Sequence, residues 1–216
     1  MPEPAARLYL ITPLLAEVDS FAPRLRAACA AGDVAAVLVR LELADERTLV
    51  NRVKALAPAA QDNGTAVIIA AEGEADLTTI AVRGGADGVH VGGDAAEARR
   101  ARERLKDERI VGAGNIRSKH DAMGAGEAGV DYVLFGEPRD DGSVPPLAAV
   151  IERAAWWAEI FETPCVAYAP SLDAVSQLVA TGAEFVALGD AVWTHAEGPA
   201  AAVAAALGCC GAKAGG

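Results

Sequence analysis

Gly85-Ala86-Asp87-Gly88-Val89-His90-Val91-Gly92 carries a four-residue run, Gly88–Val91 (GVHV), between glycines. The run is short and largely apolar, as a strand buried on both faces should be. The same kind of run recurs on either side of it. Upstream lie Arg7–Thr12 (RLYLIT), Val34–Arg40 (VAAVLVR) and Thr65–Ala70 (TAVIIA). Downstream lie Arg109–Ala113 (RIVGA), Asp131–Phe135 (DYVLF), Pro164–Tyr168 (PCVAY) and Glu184–Leu188 (EFVAL). Stretches of helical length and composition separate them: Asp19–Ala31, Ala44–Ala60, Asp94–Leu105, Val144–Glu162 and Ser171–Thr181. Gly32, Gly64, Gly129 and Gly182 stand where helices should stop. Pro145-Pro146 suits a first helical turn, and Ser171 suits an N-cap.

Strict alternation of strand and helix calls for parallel strands, because each needs a crossover. Eight such units predict an α/β protein with a closed (β/α)8 barrel. A doubly wound open sheet is the alternative, weakened because the turn after Thr12 lacks a glycine fingerprint for a dinucleotide. The expected domain covers residues 1–207, with 208–216 as a flexible tail.

Composition narrows the function classes. The chain has 216 residues, 52% of them hydrophobic, and a formal net charge of -11. The hydrophobic content supports a sizeable core and argues against disorder. The negative charge argues against a nucleic-acid partner, which needs a basic footprint. No apolar run reaches the ~18–20 residues of a membrane span, and the start, Met1-Pro2-Glu3-Pro4, lacks the features of a secretory signal. The expected location is the cytoplasm. Cys29, Cys165, Cys209 and Cys210 show no zinc-like spacing. Cys29 and Cys165 read as core residues, and Cys209-Cys210 as part of the loose tail. Of Trp156 and Trp157, one should pack on the barrel. The other, exposed, either supports a homodimer or is a lone surface tryptophan.

The segment Gly85–Gly92 also resembles the fourth-strand motif of the thiamine-phosphate synthase and thiazole tautomerase family. Three stretches fall in the family's order around it: Leu8–Pro13 (LYLITP), Gly129–Gly136 (GVDYVLFG) and Thr181–Ala187 (TGAEFVA). The similarity spans about residues 7 to 192. It implies an enzyme that joins a hydroxymethylpyrimidine diphosphate to a thiazole phosphate with Mg2+, releasing pyrophosphate. The substrate would be a small phosphorylated metabolite held at the carboxyl ends of the strands.

Several residues of the family's pattern are replaced. After the second strand a Gln-x-Arg-x-Lys pattern reads Leu38-Val39-Arg40-Leu41-Glu42. Arg40 remains, as an anion ligand or as a salt-bridge partner of Glu42 or Glu72. A Lys-to-Glu change beside a diphosphate costs about 1–4 kcal/mol at ~4 Å. The family's Asn-Asp after the third strand falls on Ala75-Asp76 counted back from His90, or on Ala70-Ala71 counted forward from the strand. The resemblance thus puts metal carboxylates at Asp76 and, one place off the family spacing, Asp94, each of which also reads as a helix cap. After the fifth strand, Gly114 or Asn115 falls at the family's serine. His120 then sits on the first turn of a helix capped by Ser118, His90 packs or hydrogen-bonds in the core, and His195 is at the surface. After the sixth strand a Thr-x-Thr-Lys loop reads Glu137-Pro138-Arg139-Asp140-Asp141-Gly142, leaving Arg139 as a substitute cation. Of the four lysines, only Lys119 is placed to approach the mouth. Where the family has a Gly-Gly turn, Ala169-Pro170-Ser171 contains a proline with no N–H to donate. Asp190 after the last strand repels a phosphate at a helix N-terminus. Two further readings follow from these departures. One is a catalytically silent paralogue that binds a thiamine-related or other small metabolite. The other is a different enzyme on the same barrel, with Glu42, Glu72, Glu137 and Asp190 supplying acid/base groups.

Overall fold

The computed structural model describes residues 6–139 and 142–211. Each apolar run becomes a strand: β1 (Arg7–Leu15), β2 (Val34–Leu41), β3 (Ala66–Ala71), β4 (Gly88–Val91), β5 (Ile110–Ala113), β6 (Tyr132–Phe135), β7 (Cys165–Ala169) and β8 (Phe185–Leu188). Neighbours pair in parallel around a closed barrel. The closure runs from Arg7 opposite Phe185 to Leu10 opposite Leu188. The connecting helices are α1 (Ala22–Ala30), α2 (Glu46–Gln61), α3 (Leu77–Gly84), α4 (Ala95–Leu105), α5 (Lys119–Glu127), α6 (Leu147–Ile160) and α7 (Val175–Val179), and after β8 come α8 (Asp190–Trp193) and α9 (Pro199–Gly211).

The two-residue period of the strands sorts their side chains into two cores. Leu8, Leu10, Val37, Val39, Val67, Ile69, Val133 and Phe135 belong to the layer packed under the helices. Tyr9, Ile11, Leu38, Ile68, Tyr132, Leu134, Val166 and Tyr168 form a separate cluster that fills the barrel interior. Gly112 makes room there. A Cβ on it would lie 2.0 Å from Cζ of Tyr132, so only glycine lets that ring occupy the interior. Two of the three phenols in this cluster bond each other, Tyr9 Oη to Tyr132 Oη at 2.7 Å.

The amino-terminal rim is tied by a repeated device. Asp87, just before β4, accepts the N–H of Val67 at 2.7 Å. Asp131, before β6, accepts the N–H of Val111 at 2.7 Å. Glu184, before β8, accepts the N–H of Cys165 at 2.9 Å. Each carboxylate binds an amide at or near the start of the preceding strand, and so joins strands in pairs. Asp33, before β2, instead takes a two-pronged bond from Arg7 of β1, at 2.9 and 2.7 Å.

Three sequence expectations change. Pro145-Pro146 lies before α6 rather than in its first turn, with Pro146 as the N-cap. Ser171 makes no side-chain cap, and residues after it form a 3-10 turn before α7. Residues 208–211, read as tail, are the last turn of α9, and Cys210 is buried there. Alanine's high helix propensity sustains that helix despite its glycines. Residues 212–216 lie outside the described residues. Trp157 is fully buried, with Nε1 donating to the carbonyl of Thr163 at 2.7 Å, while Trp156 is half-buried.

Candidate active site

The carboxyl ends of β1 to β6 surround a cavity of about 720 Å3. Ile11, Leu38 and Ala70 supply an apolar floor, and Arg40, His90, Asn115 and Glu137 stand around it. The cavity continues outward to Arg139 and, along α4, to Arg100 and Arg104.

Backbone geometry aims these groups. Arg40 is near the end of β2, and its N–H donates to Oγ1 of buried Thr12 at 3.0 Å. Glu137 follows β6 and accepts the N–H of Asn115, whose φ of 53° lies in the left-handed region that asparagine tolerates better than most residues. Asn115 Oδ1 accepts from Arg117 Nε at 3.4 Å. Between Ala113 and Asn115, Gly114 has no side chain to intrude. A Cβ there would lie 2.3 Å from both Glu137 Oε1 and His90 Nε2. The other imidazole nitrogen, Nδ1, bonds Tyr132 Oη at 2.9 Å.

This environment moves both titrating groups. Burial pushes the Glu137 carboxyl up to about 7, against the opposing pull of the Asn115 N–H and the positive charges of Arg40 and Arg139. Burial, helped by Arg40, holds His90 down at about 4, so the imidazole is neutral at physiological pH. Desolvation raises the hydroxyls of Tyr9 and Tyr132, which stay protonated.

Asp76 lines the outer part of this cavity, and Asp94 does not line it. Asp76 caps α3. Its burial favours the neutral form, but bonds from Arg104, Thr78 and Thr79 outweigh that and hold the carboxyl well below the usual range. Arg104 grips both its oxygens at 2.9 Å, and the Thr78 and Thr79 hydroxyls add bonds of 2.7 and 2.8 Å. Asp94 caps α4, accepting the N–H of Ala96 at 2.8 Å. Among the described residues no group of three or more His, Cys, Asp or Glu is placed to hold a metal ion. Both carboxylate oxygens of Asp76 already accept bonds from the protein, so the pair does not fit a shared Mg2+ site.

Other candidates fall outside the cavity. Glu42, Glu72 and Asp190 are exposed and do not line it. Neither Glu42 nor Glu72 forms an ion pair with Arg40 among the described residues. Lys119 lies over the Trp156 ring, 4.7 Å from its centroid, rather than at the mouth. His120 is exposed, and His195 is half-buried. Asp140 and Asp141 lie outside the described residues. Among the described residues, none from 168 to 191 lines the cavity. The sequence signal for His90 was its place in β4: the position between Val89 and Val91 faces inward when they face the helices. Arg100 carried no local signal, because its approach depends on how α4 packs.

Comparison with known proteins places the chain. The family described as thiamine monophosphate synthase matches residues 8–192. A thiamine-phosphate synthase of Rhodospirillum centenum is 42% identical over 92% of this chain and 94% of that protein. One from Hyphomonas neptunium is 37% identical over 94% of this chain and 93% of its own. A solved thiamine phosphate pyrophosphorylase from Pyrococcus furiosus superposes with a TM-score of 0.76 at 23% identity, covering 94% and 95% of the two chains, a likeness of fold. No helix among the described residues is long and apolar enough to cross a membrane.

Proposed function

The chain belongs to the thiamine monophosphate synthase family, and on that premise we propose that it joins a hydroxymethylpyrimidine diphosphate to a thiazole phosphate. In that reaction the bond between the pyrimidine's methylene carbon and the diphosphate oxygen breaks. The thiazole nitrogen bonds the same carbon, and pyrophosphate leaves with the electron pair. The observation that carries the reading is the cavity at the carboxyl ends of the strands, where an apolar floor sits beside Arg40, Arg100 and Arg139. Flat rings suit Ile11, Leu38 and Ala70. The anionic groups suit Arg40 and Arg139, with Arg100 further out and Asn115 at the wall. Cations preorganised around a leaving diphosphate stabilise the charge that develops on it.

Mg2+, implied by the family, would enter as the counter-ion of the substrate's diphosphate rather than on Asp76 and Asp94. No step is assigned to a protein-held metal. The cytoplasm, which keeps thiols reduced, suits the four free cysteines.

The test is turnover. Purified protein is incubated with both substrates and Mg2+, and thiamine phosphate and pyrophosphate are quantified. Equal amounts of the two products are expected. Neither product appearing would reject the reaction.

A further inference from the structure

We infer that Glu137 and His90 together recognise the amino-substituted edge of a nitrogen heterocycle, pairing with a ring nitrogen and the exocyclic amine beside it. The inference rests on the reaction proposed above and names the part of the substrate that meets these two residues.

The argument begins with hydrogen-bond accounting. The Tyr9 hydroxyl is buried in the barrel interior, and its partner there is Tyr132. A buried O–H needs an acceptor, so Tyr9 donates to Tyr132. The Tyr132 proton then goes to Nδ1 of His90, the other atom bonded to that hydroxyl. A neutral imidazole whose Nδ1 accepts must carry its proton on Nε2. That N–H faces the same point above Gly114 as the Glu137 carboxyl. Both atoms are 2.3 Å from the point a Cβ would occupy, and hence no more than twice that apart. The chain from Tyr9 through Tyr132 thus fixes a donor next to a carboxyl acceptor, at the edge of an apolar floor.

A donor beside an acceptor matches a ring nitrogen beside an amine, and mismatches other substrate parts. A phosphate dianion would meet a carboxyl group and an uncharged imidazole. An apolar ring edge would leave the His90 N–H without a partner from the substrate, which costs about 1–3 kcal/mol. The amine is served best by the ionised carboxylate. The groups facing Glu137 are Arg40 from β2, His90 from β4, Tyr132 from β6, Tyr9 from β1 and Arg139 from its own loop. The arginines favour ionisation and burial opposes it, which leaves the carboxyl titrating near neutrality. Binding should therefore release a proton below pH 7 and none well above it.

The probe is 4-amino-5-hydroxymethyl-2-methylpyrimidine, without diphosphate, titrated calorimetrically at pH 6 and pH 8 into the wild-type protein, Glu137→Gln and Gly114→Ala. Thermal melting checks that each variant is folded. Pyrophosphate is titrated separately. The probe's own protonation is common to all the proteins and cancels in the comparison. We expect wild-type affinity, corrected for the probe, to rise about tenfold per pH unit below 7 and to level above it. Glu137→Gln should bind at least tenfold more weakly at pH 8 and lose that pH dependence, and Gly114→Ala should also weaken binding. Both should keep pyrophosphate affinity. Equal binding and equal proton linkage in wild type and Glu137→Gln would overturn the inference. If the ring binds through Glu137 but no thiamine phosphate forms, the reaction reading fails and this one stands. If turnover is found and Glu137→Gln matches wild type in it, the reverse holds.

Discussion

Where β2 to β6 end, Arg40, His90, Asn115 and Glu137 present side chains to an open cavity. Where β7 and β8 end, the chain passes through Pro170 and Asp190, and residues 168–191 contribute nothing to that cavity among the described residues. Two local contacts mark this half. The Tyr168 hydroxyl is 3.1 Å from where a Cβ of Gly189 would be, and Trp193 Nε1 is bonded to the carbonyl of Ile11 at 2.6 Å. Proline removes an amide donor, and an aspartate at the first position of α8 sets a negative charge where an anion would arrive. The lesson is that one rim can split its chemistry. Side chains face a cavity along one half, and a proline and an aspartate stand where the other half could offer backbone amides.

The sharpest way to break this contrast is to remove a cation from the open half. Arg40→Ala should lower kcat/KM by about a hundredfold, roughly 2.7 kcal/mol, while Pro170→Gly changes it little. Steady-state kinetics on both variants would expose the division as wrong if the effects came out reversed.

Next in size is the outer end of the cavity, where Asp76 is a cap bound by Arg104. Asp76→Ala should cost about 1–2 kcal/mol in denaturant unfolding, and the Mg2+ concentration for half-maximal turnover should not move. A large shift in that midpoint would make Asp76 a metal ligand after all.

A smaller effect comes from Glu137. Its folded value, about 7, exceeds the ordinary 4.5. Between those values the folded chain keeps a proton that the unfolded chain has released, so stability from this group falls as pH rises from about 4.5 to 7 and is fully lost above. Glu137→Gln removes the penalty. Its melting temperature should exceed wild type by a few degrees at pH 8 and match it at pH 4.5. A gain at the lower pH only would contradict the assignment.

Smallest is Asp190→Ala, which should change KM for thiazole phosphate by less than about twofold, since exposed charges contribute little.

Much of this was legible in the sequence, and the reasons differ by element. The eight strands could be read because burial on both faces leaves dense apolar runs, as in TAVIIA. The end of helix α9 could not, because its glycines and paired cysteines resemble a tail and packing against α1 and α7 adds to the propensity of its alanines. The caps Asp76 and Asp94 were visible locally, while the grip of Arg104 on Asp76 required three dimensions. Arg40 and Glu137 were found by position. The Glu137–His90 pair was not, since one follows β6 and the other lies on β4, and both side chains approach the space left free at Gly114.

The division of the rim is tested most directly by a crystal structure with thiazole phosphate and pyrophosphate bound. Both anions should lie among Arg40, Arg100 and Arg139, with residues 169–171 and 189–191 bare. A phosphate seated on the amides of those two segments would contradict it.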